Sequence, residues 1–570
     1  MAPPTRSHSA GQRALEVGFV AAAALLFASL VLTRLAHPLL WNDEADTAVL
    51  AQRVAEHGYP KAHGVPDLLY NLDPSRIDPA SDAYLGGLWG AYYFGAPGAA
   101  WAARHDDPYA KTWRMRLPFA LIGCAGMLWA VLSVLPALGS TRSRALLLGL
   151  FCLTAAYSVT LGLHLREARW YSPVLFLVAG CVATHLRWQV FGSGSLAGYV
   201  VCQSVLLCLL FNTFHPAFAA VGLALGLDLL WRARRLASPR ARLAWLARAG
   251  SPLAIAGLAC LPVAFVFDLP GLTLAWTDFL AGVARSYGEN LLFVARGSLR
   301  YEFLAAAGVA RVAVLWQLRG LRAAGEVPPV ALRHRNEIAG FALLLVAIYW
   351  GVVCRSPLVW ERYLIPLAPW IPLALLLDGA SLVELARRAP RSGARARGLV
   401  PLTLVVGCLV VSAWVRWPEF AERLQELRTP VRGPLDFAIP HLRERYRDPS
   451  SLVIATNYEG PAFSFYLGSR VLVGYYAGNL AADVREIPDV IVKRPWPRFE
   501  GLLLEMTQRA PYAATRFPVR NTKTNSGPFL WTDTPGDARH LFATPFADRA
   551  DQEFVILERV VPLPEHRQRD

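Results

Sequence analysis

The chain has 570 residues, of which 54% are hydrophobic and 17% charged, and its mean hydropathy is +0.33. Soluble domains carry about 25% charged residues, so composition argues against a soluble multidomain enzyme. The net charge of +15 invites a nucleic-acid partner, a reading that the distribution of that charge removes.

In chain order, apolar runs predict eleven membrane spans, at 14–34, 117–137, 145–163, 173–186, 197–211, 216–230, 251–268, 301–318, 338–353, 363–380 and 399–415. Each approaches the ~20 residues needed to cross about 30 Å of hydrocarbon. The first run lacks a small-residue cleavage site followed by a polar mature start, and is read as a retained span. With the N-terminus inside, the inner stretches from Arg6 to Arg397 hold twenty arginines against three acids, Glu326, Glu337 and Glu384. Their net +17 exceeds that of the whole chain, so everything else sums to −2. The basicity is the positive-inside signal of a polytopic α-helical membrane protein, and no nucleic acid is expected as a partner. Eleven spans put the C-terminus outside.

Seven of the eight cysteines fall inside spans and Cys354 lies at the outer edge of one, so no disulfide framework is expected. Lysine supplies only four of the 57 cations, and no Asn-x-Ser/Thr sequon occurs. Both features fit a bacterial inner (cell) membrane.

Residues 1–416 therefore read as a transmembrane catalytic domain with an outer loop at 35–116, and 417–570 as a small α/β periplasmic domain. The outer loop opens with Trp41-Asn42-Asp43-Glu44-Ala45-Asp46-Thr47, followed by a helical pattern. Asn42 or Asp43 can cap that helix, and Gly58 with Pro60 behind it can end it. The aromatic-rich stretch 83–103 predicts a helix lying on the outer surface. A second outer piece, 269–300, reads as a re-entrant or interfacial loop. In the tail, short β-branched runs at 452–455, 471–473, 490–492 and 554–557 predict buried strands. Helical patterns at 461–467 and 499–508 lie between them, which argues a mainly parallel sheet. No glycine-rich phosphate loop follows any of these strands.

Charged residues gather where the outer ends of the spans would converge. Asp43, Glu44 and Asp46 follow the first span, while His164, Arg166, Glu167, Arg169 and Tyr171 fill the loop after the third. His215 follows the fifth, and Arg355, Glu361, Arg362 and Tyr363 precede the tenth. A carboxylate pair facing arginines at headgroup depth suits a lipid-linked sugar phosphate. Arginines can clamp the phosphate and stabilise its charge as it leaves. A carboxylate can take the proton of an acceptor hydroxyl, a role worth ~10²–10⁴ in rate. Asp43 and Glu44 are thus the candidate catalytic acids, and Arg166, Arg169, Arg362 and Tyr363 the candidate donor-phosphate ligands. His164, His215 and Asp46 are further candidates.

Each has a plainer reading. The acids could cap the following helix, His215 could be structural, and the arginines could touch lipid headgroups. Outer loops are nevertheless the wrong side for topological arginines, which favours phosphate binding. His57, His63 and His105 lack metal-ligand spacing, so no metal site is assigned. The sequence requires no cofactor, and a divalent metal is unsupported.

Four motifs in order resemble those of the protein O-mannosyltransferase and aminoarabinose-transferase-like glycosyltransferases. Trp41-Asn42-Asp43-Glu44-Ala45 resembles the Asp-Glu motif of their first outer loop, and Arg116-Leu117-Pro118 the Arg-Leu-Pro signature opening their second span. Arg166-Glu167-Ala168-Arg169-Trp170-Tyr171-Ser172-Pro173 is similar to their second outer loop, and Glu361-Arg362-Tyr363-Leu364-Ile365-Pro366 to the start of a late span. The resemblance implies the large C-type glycosyltransferase fold, a polyprenyl-phosphate sugar donor, and a first-loop Asp as catalytic base. Their usual His-Pro-Pro stretch is replaced here by Asp73-Pro74 to Ala83, which leaves the acceptor open between protein, lipid and glycan. The expected function is inverting transfer of one hexose or pentose to a hydroxyl on the outer face of the membrane. A transporter or flippase of lipid-linked glycans is the alternative, but the internal repeats and paired broken spans of transporters are not evident. A membrane scaffold would leave the outer acid–arginine cluster unexplained.

Overall fold

The computed structural model describes residues 10–63, 74–388, 394–430, 432–474, 480–522, 524–525 and 553–560. Of the features named above, Arg6 and Asp73 lie outside the described residues. Among those described, eight helices are long and apolar enough to cross a membrane. The number is nine if the bent pair Glu361–Leu367 and Trp370–Arg388 forms one span. This is a multi-pass membrane protein with fewer clear spans than the eleven expected.

Two expected spans fall short for local reasons. The run 145–163 is divided at Ser158, whose hydroxyl accepts the Leu161 amide and starts a new short helix. That leaves Thr141–Tyr157 with only 17 residues. The run 173–186 is helix Tyr171–Gln189, which carries His185 and Arg187 in its last turns and is mostly buried inside the bundle. It lies close against helix Pro108–Val134 because Gly126 has no side chain; a Cβ there would come within 2.8 Å of the Phe176 backbone. Ion pairs join the basic loops at one end of the bundle, Arg142 to Glu16 at 3.7 Å and Arg232 to Glu337 at 3.2 Å.

The pieces expected on the outer face form further helices. Gly90–Ala102 is the expected helix within 83–103, and it packs against both Asn42–His57 and Pro108–Val134. The piece 269–300, expected as a re-entrant or interfacial loop, holds two helices, Leu269–Leu280 and Tyr287–Tyr301. Ser286 and Glu289 form a reciprocal capping box that starts the second. The last long helix, Ala394–Arg428, runs through Pro418, so the boundary expected at 417 falls inside it. Arg423 near its end donates to the carbonyls of Leu30 and Gly162, which ties this helix to its neighbours.

The tail forms a five-stranded sheet from β1 (Val453–Thr456), β2 (Arg470–Leu472), β3 (Val490–Val492), β4 (Tyr512–Arg520) and β5 (Glu553–Arg559), in the order β2-β1-β3-β5-β4. β1 pairs in parallel with β2 and β3, whereas β5 runs antiparallel to both β3 and β4. The sheet is therefore mixed rather than mainly parallel. β4 has no counterpart in the sequence reading, since its charges and Pro518 hide it; as an edge strand it tolerates both. One face of the sheet, including Ile454, Val490, Phe554 and Ile556, shares a continuous hydrophobic core with Leu39, Leu40, Val49 and Phe119. The α/β domain and the first outer loop thus pack as one unit.

Candidate functional site

Helix Asn42–His57 starts immediately after Trp41, which offers no side-chain cap, and ends at Gly58 with φ 83°. Gly58 is where that left-handed stop costs least. Asp43, Asp46 and Thr47 fall at i, i+3 and i+4 and share one face of the helix, while Glu44 points elsewhere. This separation gives the neighbouring acids different roles.

Asp43 is the meeting point. One of its carboxylate oxygens lies 3.7 Å from an Arg169 nitrogen and 3.6 Å from an Arg362 nitrogen. Its other oxygen accepts from the side-chain Nδ2 of Asn42 at 3.2 Å. Arg169 also donates to the Asp43 carbonyl and to the Thr47 hydroxyl, each at 2.9 Å, and lies 3.7 Å from Asp46. Charge-assisted N–H···O⁻ bonds close to about 2.7–2.9 Å. The guanidinium contacts to the Asp43 carboxylate are longer, so they hold it in place without closing on it. Burial pushes the Asp46 carboxyl up to about 6 against the pull of Arg169, with Asp43 adding to the rise.

Aromatic rings fix the second arginine and line the approach. The Arg362 guanidinium lies 5.0 Å from the Trp41 ring and 4.9 Å from that of Trp360, a cation–π clamp on its plane. Tyr363 sits among Trp360, Trp170 and Phe214, with centroids 5.4, 5.5 and 6.0 Å away. Trp170 stacks on Phe214 at 3.8 Å. The structure thus brings together Asp43, Asp46, Arg169, Arg362 and Tyr363 of the expected residues.

The others go to different places. Glu44 is fully buried and bound bidentately by Arg116 at 2.7 and 2.5 Å. Its first oxygen also accepts the Ala168 amide at 2.9 Å, and Arg116 donates in addition to the Leu35 and Pro38 carbonyls. With both oxygens engaged by Arg116, Glu44 ties the first loop to the second span and points away from the Asp43 cluster that it was expected to share. Arg166 is buried, and one of its nitrogens lies 3.5 Å from the Thr33 carbonyl. Burial and the neighbouring Arg116 lower its guanidinium to about 9.

His164 is wedged between two acids, 3.1 Å from Glu167 and 3.7 Å from Glu361. Burial disfavours its charged ring, but the two carboxylates outweigh it and raise His164 to about 9. His215 opens helix His215–Ala233 with Pro216 behind it, and its ring lies 6.5 Å from Phe214. Neither histidine joins the Asp43 cluster. Among the described residues, no group of three or more His, Cys, Asp or Glu is arranged to hold a metal.

Several participants escape a reading of the sequence. Arg116 stands in a quoted motif, yet its pairing with Glu44 spans 72 residues. Trp360 adjoins Glu361-Arg362, and a tryptophan next to an arginine in an outer loop is the signal that could have found it. No local signal marks Asp436 or Asn525, which bind the first loop from the tail. Asp436 accepts the Leu39 amide at 3.2 Å, and Asn525 donates to the Leu39 carbonyl at 2.9 Å and to Asp436 at 3.0 Å.

Neither a protein-family model nor a curated protein matches the chain. Solved structures do match it along nearly its full length, among them two of one protein. One is ArnT from Cupriavidus metallidurans in the apo state, at 14% identity and a TM-score of 0.53, covering 96% of this chain and 98% of that one. The other is the same ArnT bound to undecaprenyl phosphate, at 14% identity and a TM-score of 0.54, covering 97% and 99%. At this identity the likeness establishes architecture, and it extends over the spans, the outer loops and the sheet domain alike. The chain has the fold of ArnT, a large C-type glycosyltransferase membrane fold with a small α/β domain.

Proposed function

We propose that the protein is an inverting glycosyltransferase. It moves one sugar from a polyprenyl-phosphate donor to a hydroxyl acceptor at the outer face of the membrane. The observation that carries this reading is the shared Asp43 oxygen, held by Arg169 and Arg362 beside an aromatic wall. The ArnT structure bound to undecaprenyl phosphate supports a donor of that chemical class. Asp43 takes the acceptor's hydroxyl proton as the acceptor oxygen bonds to the anomeric carbon. The bond from that carbon to the phosphate oxygen breaks on the opposite side, so the configuration inverts. Polyprenyl phosphate leaves as an anion, and Arg169 and Arg362 stabilise the charge it gains. Phosphate leaves readily, so no general acid is assigned.

The test offers detergent-purified protein radiolabelled polyprenyl-phosphate hexoses and pentoses with a membrane extract as acceptor source. Transfer by the wild-type chain is expected, and Asp43→Asn should lower turnover by ~10²-fold or more, the contribution of a positioned base. The melting temperature should hold, because Asp43 does not cap its helix. Near-normal turnover in the Asn variant would remove Asp43 as the base. Translocation of the labelled lipid without transfer would overturn the enzymatic reading altogether.

A further inference from the structure

Arg169 and Asp43 stand at a distance that their charges alone would not keep. A guanidinium and a carboxylate free to approach close to about 2.7–2.9 Å, yet the Arg169 Nη2 stops 3.7 Å from the Asp43 carboxylate. Arg362 stops as well, at 3.6 Å, with the rings of Trp41 and Trp360 against its plane. For Arg169 the restraint is polar. Its Nη1 spends both hydrogens elsewhere, on the Asp43 carbonyl and the Thr47 hydroxyl, each at 2.9 Å.

Thr47 is placed to do this. It lies one turn beyond Asp43 on the same helix and is fully buried. Its own hydrogen goes to the Asp43 carbonyl at 3.0 Å, the back-bond that a threonine makes to the residue four before it. A hydroxyl has one hydrogen and two lone pairs, so with the hydrogen committed it meets Arg169 as an acceptor alone. Asp46 adds a weaker pull on the same Nη1 from 3.7 Å. The guanidinium, which arrives from the loop before helix Tyr171–Gln189, is thereby tied to the helix that carries Asp43. An arginine closed onto a general base would favour its ionised form and occupy its lone pairs, and both effects weaken the base.

We propose that Thr47 is a positioning residue for the transfer reaction: its hydroxyl holds Arg169 off the Asp43 carboxylate. The acid is left open to a hydroxyl proton, and the Nη2 of Arg169 is left open to the donor phosphate. This rests on the reading of Asp43 as the base. Thr47 touches no reacting atom and acts through Arg169.

Thr47→Val keeps the branched shape and removes the hydroxyl, whereas Thr47→Ser keeps the hydroxyl. The full-length protein is given the polyprenyl-phosphate sugar that wild type uses. The valine variant should lose about tenfold in kcat while the donor KM changes less than threefold, and the serine variant should stay within about threefold of wild type. In an Arg169→Ala background, adding Thr47→Val should change the residual turnover less than about twofold, because the hydroxyl then has no guanidinium to hold. A threonine with a merely structural role would cost the same in both backgrounds. A structure of Thr47→Val should show the Arg169 Nη2 closed onto Asp43 at about 2.8 Å, a readout that needs no substrate. Should the valine variant fail to fold, Thr47→Ala takes its place in each comparison. With Asp43→Asn inactive, the proposal is overturned by a valine variant within twofold of wild-type kcat or by an equal loss in the Arg169→Ala background. An Arg169 that keeps its distance from Asp43 in the variant structure overturns it as well. If Asp43→Asn is active and Arg169 still closes on Asp43 in Thr47→Val, the assignment of the base fails and the positioning stands.

Discussion

Asp43 and Glu44 are adjacent in sequence and opposite in circumstance. Asp43 faces arginines at more than 3.5 Å, whereas Glu44 is enclosed by Arg116 and the Ala168 amide. Removing one partner of a buried pair costs ~3–5 kcal/mol, because the other charge is left uncompensated. Glu44→Ala should therefore unfold or fail to accumulate, while Asp43→Asn keeps its melting temperature and loses turnover. Equal thermal stability of the two variants would refute the division of roles. His164 makes a separate prediction. Its folded pKa is raised to about 9 from the ordinary 6.5, so the folded state holds its proton more tightly than the unfolded chain. The resulting stability is fully present below pH 6.5 and is lost as pH rises through about 9. Thermal scans from pH 6 to pH 9.5 should show a decline that flattens in His164→Gln. A parallel decline in both would show that His164 carries no such linkage. The separate fates of Asp43 and Glu44 were only half legible. The sequence marks both as outer acids near the first span, but a contact reaching 72 residues onward lies beyond any local pattern.

At the scale of elements, legibility followed whether the deciding contacts were local. The Asp43 helix was bounded correctly at its C-terminal end, because Gly58 and Pro60 act through their own backbones. At its N-terminal end Asn42 or Asp43 was expected to cap it, whereas Trp41 stands at the cap position and offers no side-chain acceptor. Strands β1, β2, β3 and β5 announced themselves as β-branched runs. β4 did not, being an exposed edge whose pairing with β5 alone defines it. The run 145–163 looked continuous because one serine scarcely alters a hydropathy average, yet Ser158 starts a new helix there. The short helix Gly460–Leu467 yields a prediction at this scale. Tyr466→Phe keeps its ring packing but leaves the Leu40 amide, a buried donor, without its acceptor. A loss of about 1–3 kcal/mol is expected, read as a lower melting temperature with turnover per folded molecule retained. An unchanged melting temperature would mean that water replaces the hydroxyl and that the staple is dispensable.

For the whole molecule, the arginine asymmetry predicts that the basic loops face the cytoplasm and that the sheet domain stands outside. Single cysteines placed at Ala237 and Ala514, both exposed, should react with an impermeant thiol reagent from opposite sides of the membrane, once the eight native cysteines are replaced. Labelling of both from one side would reverse this orientation. The strand order of the sheet adds a constraint on how the protein is made. β5, the last of the five to leave the ribosome, lies between β3 and β4. Until translation reaches 553–559, β3 lacks its outer neighbour and β4 has no partner to pair with. The surface that receives Leu39 and Leu40 belongs to the core that β5 completes through Phe554 and Ile556. The Asp43 helix, synthesised some 500 residues earlier, therefore waits through almost the whole of membrane insertion before the core it packs against is complete. A ribosome that stops short of β5 would release a chain with its spans inserted, its sheet open to proteases and its Asp43 helix facing an unfinished core.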